Sequence, residues 1–161
     1  MKMIEKFKTG IRTVKLLRTD STDENGNGEF CFEINGKKIF VLGTNWVALD
    51  ALHANDINRL PKAMELLDDI GCNMVRCWGG NVYESDDFYH YCDAHGIMVW
   101  QDFAMGCAVY PDDRILSEKL EEEATYQIKR LRNHPSLVLW AGDNECDVAI
   151  EWANMSLNPN H

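Results

Sequence analysis

The chain has 161 residues, with 26 acidic against 16 basic side chains, a formal charge of −10, and 45% hydrophobic and 26% charged content. That composition fits one medium domain or part of a larger protein, holds enough apolar matter for a packed core, and excludes disorder as the governing state. The acidic surface counts against nucleic acid and anionic membranes as partners, because phosphate contacts need Lys and Arg, and it selects no particular substrate.

The opening "MKMIEKFKTG" has no apolar stretch of the kind a signal peptide needs, so the chain as written is expected to be cytoplasmic. No run approaches the roughly 18 apolar residues of a membrane span. Residues 11–18, "IRTVKLLR", read as a strand, and 20–28, "DSTDENGNG", as a polar Gly/Asn-rich loop. "FCFEI" and "KKIFVLG" flank Asn35-Gly36. That dipeptide between apolar runs signals a hairpin, since both residues tolerate the positive φ of a type I′ turn.

From residue 39 the rhythm changes. "IFVLGT" is a short apolar run, followed by a helical face of Leu60, Ala63, Met64, Leu67 and Ile70, with Pro61 expected in or near the first turn. "NMVRCW" at 73–78 is a second run. Ser85 is placed to cap the next helix, Asp86 and Asp87 lie in its first turn, and Gly96 closes it. "IMVW" at 97–100 is a third run, Leu116, Leu120, Ala124, Ile128 and Leu131 mark a longer helix, and "LVLWAG" at 137–142 is a fourth run. The tail "AIEWANMSLNPNH" starts no fifth strand.

This is β-α-β-α-β-α-β. The strands are continuously apolar, as parallel strands covered on both faces are. Each ends in polar or aromatic residues: Asn45-Trp46, Trp78-Gly79-Gly80, Gln101-Asp102 and Asn144-Glu145. In an α/β barrel those ends share the active rim. The pattern fits half of a (β/α)8 barrel or an open doubly wound sheet.

Several side chains carry chemistry in this frame, each beside a plainer reading. Glu145, at the end of a buried strand, could act as a proton donor if burial keeps it protonated; otherwise Asp143, Glu145 and Asp147 only complement the dipole of a following helix. Asn144 could bind a sugar hydroxyl. Trp78, before two glycines, could offer a flat face to a sugar ring or could be a core Trp with a Gly turn. Arg76, inside an apolar strand, needs an anionic partner, either a catalytic carboxylate or a structural one such as Asp102. Trp46, Trp100 and Trp140 read as core, and the acidic run at 118–123 as a solvated helix face. His90, His95 and His134 have no metal-ligand spacing. The six cysteines form no CxxC pair and read as reduced, partly buried thiols. Phosphate-binding loops, GxSxG and HExxH are absent.

Taken together, "NGKKIFVLGTNWVALD", "NMVRCWGGNVYESDDFYHYCDAHGIMVWQDF", "YP" and "QIKRLRNHPSLVLWAGDNE" resemble the β-mannosidase branch of glycoside hydrolase family 2. "GIRTVKL" resembles the last strand of the β-sandwich that precedes the barrel in that family. The galactosidase and glucuronidase branches carry a Ser-His-Tyr-Pro-like segment where this chain has "CWGGNVYE". The resemblance implies a β-sandwich end and linker over 1–29, and the first half of a TIM barrel over 30–161. It implies a retaining exo-glycosidase acting on terminal β-D-mannosyl residues of oligosaccharides, with no metal or organic cofactor.

By residue match, Glu145 is the implied acid/base and Asn144 the ligand of the sugar 2-hydroxyl. Trp78 is the implied wall of the −1 subsite, and Arg76 faces the nucleophile. Two departures stand out. Gly142-Asp143-Asn144-Glu145 replaces the usual Gly-Asn-Asn-Glu, which places an extra acid near Glu145. The nucleophile belongs on a seventh strand beyond this sequence, so the chain alone is expected to be inactive. Alternatives are another family 2 glycosidase or a non-catalytic carbohydrate-binding or inactive piece. The unpaired edges of the first and fourth barrel strands predict self-association or poor stability.

Overall fold

The computed structural model describes residues 8–19 and 22–157. The stretch 1–7, which opens the segment read for a leader, and residues 158–161 of the tail lie outside the described residues.

Three antiparallel strands come first: Val14–Arg18 (β1), Phe30–Ile34 (β2) and Lys37–Ile39 (β3), in the order β1-β2-β3. Asn35 and Gly36 join β2 to β3 with φ of 51° and 77°, the double positive φ of the predicted turn. β1 pairs with β2 from Val14↔Ile34 to Arg18↔Phe30, so this small sheet runs across position 29/30. The strand expected over 11–18 begins only at Val14. Its first residues have other partners. Thr13 is held by the Asn35 side chain, which accepts its N–H at 2.9 Å. The Arg12 guanidinium donates to the carbonyls of Pro135 at 3.0 Å and Leu137 at 2.6 Å.

The second sheet alternates with helices: Gly43–Trp46 (β4), Asp56–Asp69 (α1), Met74–Cys77 (β5), Asp86–His95 (α2), Met98–Asp102 (β6), Arg114–Leu131 (α3), Leu137–Ala141 (β7) and Cys146–Leu157 (α4). Its strands are parallel and ordered β4-β5-β6-β7, each beside its successor in the chain. Leu60, Met64 and Leu67 of α1, Phe88, Tyr89 and Cys92 of α2, and Leu131 of α3 share one buried cluster with Val75, Cys77, Val99 and Leu137 of the strands. These three helices therefore cover a single face. Sequential order with one covered face is barrel winding; a doubly wound sheet reverses its order and carries helices on both faces. The other face is a smaller cluster in which Met74 and Met98 meet Phe32, with Val14, Ile34 and Ile39 packed against it. Burying each of these large apolar side chains contributes about 1.5–3 kcal/mol.

Three details differ from the sequence expectation. The first parallel strand is Gly43–Trp46, not the apolar run from 39: Phe40 and Leu42 are exposed. The Asn73 side chain fixes that connection, accepting from Leu42 N and donating to Phe40 O, both at 2.9 Å. Gly43 then meets β5 so closely that a Cβ would lie 2.7 Å from the Met74 carbonyl oxygen. Pro61 sits just past the first turn of α1, near it as expected. The N–H it lacks would have reached back to Ile57, a residue of the solvent face. Ile70 is the C-cap of α1 and is exposed, and Ile128 of α3 is exposed too, so neither belongs to the core stripe. Ser85 does precede α2, but its side chain makes no capping hydrogen bond, whereas Asp113 caps α3 by accepting from Leu116 N at 2.8 Å.

Among the described residues no helix is long and apolar enough to cross a membrane.

Candidate active site

The C-terminal ends of the four parallel strands form one rim, and Arg76 is its hub. Its Nη2 donates to Asp102 Oδ2 at 2.7 Å and to Asn144 Oδ1 at 2.8 Å. Its Nε reaches Asp102 Oδ1 at 3.3 Å, and its Nη1 reaches Asn45 Oδ1 at 3.5 Å. One guanidinium thus touches a residue on each of the other three strand ends. Its plane also lies over the Trp100 ring, 5.2 Å from the centroid. The partner that a buried Arg demanded is Asp102, whose side chain is 0% exposed. Asp102 Oδ2 accepts a further hydrogen bond from Gly79 N at 3.1 Å. Asp102 is therefore a structural acid, committed on both oxygens.

Close backbone packing fixes the loops above this hub. A Cβ on Gly79 would lie 2.3 Å from the Met105 carbonyl oxygen, and one on Gly80 would lie 2.1 Å from the Trp78 indole. The two glycines let the loop after β5 pass under the loop after β6 and leave the half-buried Trp78 ring lying across Gly80. Trp46 is buried as expected, with its indole N–H donating to Glu84 Oε1 at 2.8 Å. Trp140 is half-buried and stacks on Phe103, centroids 4.9 Å apart.

Asn144 and Glu145 end this architecture. Asn144 is buried and joins the loop after β6 by two backbone bonds: its N–H donates to Met105 O at 2.9 Å, and its carbonyl accepts from Cys107 N at 2.8 Å. Its side-chain amide then donates to Glu145 Oε2 at 3.2 Å while its oxygen is held by Arg76. Glu145 precedes α4 and has φ of +60°, a left-handed conformation that costs a non-Gly residue of order 1–3 kcal/mol. Its carbonyl accepts from Ala149 N at 2.9 Å, so it stands where a capping residue would. Its carboxylate does not cap. Asp143 does, accepting from Cys146 N at 3.1 Å. The helix-dipole reading thus holds for Asp143 and for Asp147 in the first turn of α4, and Glu145 is left free for the rim. The extra acid of "GDNE" points at the helix, not at Glu145.

The burial expected for Glu145 is absent: in this chain its side chain is exposed, and it contacts the Cys107 thiol at 3.3 Å as well as Asn144. Cys107 is a rim residue that sequence reading assigned to the buried thiols. Only Cys72, Cys77 and Cys92 are buried, and all six cysteines are free. Asn45 lies on the rim where its strand end was expected, whereas Glu84 was missed. Glu84 is buried on the helix side, and burial raises its pKa against the opposing effect of the Trp46 N–H. Two of the histidines weighed as ligands are paired with acids, His134 with Asp93 at 2.6 Å and His95 with Asp68 at 2.7 Å. Among the described residues no group of three or more His, Cys, Asp or Glu could hold a metal ion.

The family model described as glycosyl hydrolases family 2, TIM barrel domain, matches residues 28–158. The chain belongs to glycosyl hydrolase family 2. Its four β/α units are part of the family 2 TIM barrel. It is 40% identical over 144 residues to a β-mannosidase of Bos taurus, covering 89% of this chain and 16% of that protein. It is 44% identical over 152 residues to β-mannosidase B of Emericella nidulans, covering 94% and 18%. Among solved structures, a β-D-mannosidase from Dictyoglomus thermophilum superposes with a TM-score of 0.74 at 44% identity, over 85% of this chain and 17% of that one. A β-glucuronidase from Parabacteroides merdae superposes with a TM-score of 0.69 at 23% identity, over 86% and 16%, which shows a shared fold. The chain spans 16% to 18% of the length of these family 2 β-mannosidases.

Proposed function

We propose that this segment supplies the acid/base side of the active site of a retaining β-mannosidase, a family 2 enzyme that releases terminal β-D-mannosyl residues from oligosaccharides. The observation that carries the reading is the placement of Glu145: at the end of β7, in a left-handed turn, freed from capping by Asp143 and hydrogen-bonded to an Asn144 that Arg76 holds in register. The β-mannosidases at 40% and 44% identity support the choice of sugar.

A retaining hydrolysis uses two carboxyls about 5–5.5 Å apart. In this reading Glu145 gives its proton to the departing glycosidic oxygen and later takes one from the attacking water. Asn144 offers its amide to the 2-hydroxyl, and Trp78 lines the −1 subsite. Arg76 sets Asn144, neutralises Asp102 and, in this reading, also faces the nucleophile. Asp102 is unsuited to be the nucleophile, being buried and fully hydrogen-bonded. In this reading the second carboxyl is supplied by the rest of the barrel, and the segment alone does not turn over glycosides. We also propose that residues 1–29 belong to the end of a preceding β-sandwich domain with its linker, and residues 30–161 to the first half of the barrel, although β1 pairs with β2 across that division.

The test is hydrolysis of an aryl β-mannoside, beside the matching galactoside and glucuronide, by the full-length protein and its Glu145→Gln variant. Mannoside turnover that falls by several orders of magnitude in the variant is expected. Preference for another glycoside would refute the choice of sugar, and full activity in the variant would refute the role of Glu145.

A further inference from the structure

Cys107 is more than a neighbour of Glu145. It sits in the loop after β6 with φ of +52°, and Glu145 sits after β7 with φ of +60°. Two residues in a conformation that disfavours any side chain thus face each other across the rim. The backbone places them there: a parallel bridge joins Gly106 to Asn144, and Cys107 N donates to Asn144 O at 2.8 Å. Gly106 is pressed against the loop after β5, where a Cβ would lie 2.9 Å from Gly80 N, and its own N–H donates to the Tyr110 hydroxyl at 2.9 Å. Ala104 N donates in the same way to the Tyr83 hydroxyl at 3.1 Å. The loop is pinned at every second residue, and its one exposed cysteine is delivered to the carboxylate.

We propose that Cys107 is a positioning residue for Glu145: its thiol donates to Glu145 Oε2 and, with the Asn144 amide on the same oxygen, holds the carboxylate in one orientation over the rim. The thiol lies 3.3 Å from Oε2, the Asn144 amide nitrogen lies 3.2 Å from it, and that nitrogen lies 3.3 Å from the Cys107 sulfur, so the three groups form a closed triangle. Both donors bind one oxygen, which leaves Oε1 as the oxygen able to carry the mobile proton. The significance for catalysis rests on the reading of Glu145 as acid/base; the contact itself does not.

The contact is read directly at the thiol. Glu145 raises the Cys107 pKa, chiefly through the hydrogen bond it accepts, and the Asn144 amide acts in the opposite direction. The thiolate is the species that alkylates. Iodoacetamide labelling of the chain, resolved by peptide mass spectrometry between pH 6 and 10, is compared in wild type and Glu145→Gln. The expected result is a Cys107 profile displaced to lower pH in the variant, with a rate at neutral pH higher by roughly threefold or more. Cys146 serves as the local monitor, because its thiol answers to burial and to Asp143 rather than to Glu145. Unchanged profiles, or Cys107 and Cys146 moving together as a loosened loop would make them, overturn the proposal.

A second measurement reads the consequence in the full-length protein. Cys107→Ala is expected to lower kcat with little change in KM, to lose more on aryl glycosides with poor leaving groups than with good ones, and to be rescued by Cys107→Ser, which keeps a donor. A merely structural loss falls equally on all leaving groups and overturns the positioning role. If the protein turns over no glycoside, the labelling result still decides the contact, and only the reading of Glu145 fails.

Discussion

Replacing Arg76 by Met tests what holds the rim. In the native structure the Asp102 carboxylate receives two hydrogen bonds from the guanidinium, at 2.7 and 3.3 Å, and one from Gly79 N at 3.1 Å. The Asp102 side chain is 0% exposed and that of Arg76 is 25% exposed, so the two partners are unequal. Met at 76 strands a fully buried carboxylate with the Gly79 amide as its remaining donor, which should cost about 3–5 kcal/mol. Asn at 102 leaves the cation unpaired instead. Water reaches part of that guanidinium, and the amide oxygen still accepts, so the expected cost is about 1–3 kcal/mol. Removing both charges, in Arg76→Met with Asp102→Leu, should return stability to within about 1–2 kcal/mol of wild type, since packed apolar groups replace a buried pair at little net cost. Urea unfolding followed by Trp fluorescence, at one fixed protein concentration, gives the four midpoints. Against a total stability of about 5–15 kcal/mol the largest loss is easily resolved. If Arg76→Met costs less than about 1 kcal/mol, or if the double variant is no more stable than Arg76→Met alone, the ion pair does not hold the strand ends together.

Glu84 gives a pH signature. Burial raises its folded pKa above the unfolded value, so the folded state binds the proton more tightly, and this group withdraws stability as pH rises from about 4 through its folded pKa. Glu84→Gln keeps an acceptor for the Trp46 indole and removes the buried charge. Its melting temperature should exceed wild type at pH 7, and the gain should vanish below about pH 4; a gain that is constant with pH would contradict the burial argument. The sheet edges give another expectation. Among the described residues β4 and β7 are the outermost strands of the parallel sheet, each with one flank unpaired. The isolated chain should sediment as a dimer or larger species, or melt without cooperativity, and a monodisperse monomer with a sharp transition would refute this.

The alternation of elements was legible because each parallel strand is a short apolar run bounded by polar residues and each helix carries a periodic face. Asn35-Gly36 named its turn because few other residues accept two positive φ values. The place of Asn144 and Glu145 after a strand was legible because polar residues follow an apolar run. The errors share a cause, which is that tertiary bonds override local pattern. The run at 40–42 looked like strand, yet Asn73 from another strand claims its backbone groups. Thr13 looked like strand until Asn35 claimed it. Cys107 could not be read as a rim residue, because neither the left-handed turn that exposes it nor the carboxylate it meets is encoded nearby. The division of labour between Asp143 and Glu145 was likewise invisible: both are acids before a helix, and only the turn geometry decides which caps it.

The Arg12 side chain has a bearing on the order of assembly. Its two bonds to Pro135 and Leu137 close loops of 123 and 125 positions, whereas neighbouring parallel strands join over much shorter separations. Loop-closure entropy grows with separation, so the strand–helix units can form first and the Arg12 clasp last. By the same reasoning it opens first. Amides around residues 12–14 and 135–137 would exchange with solvent ahead of the sheet interior, which makes this clasp, far along the strands from Glu145, the seam at which the segment begins to come apart.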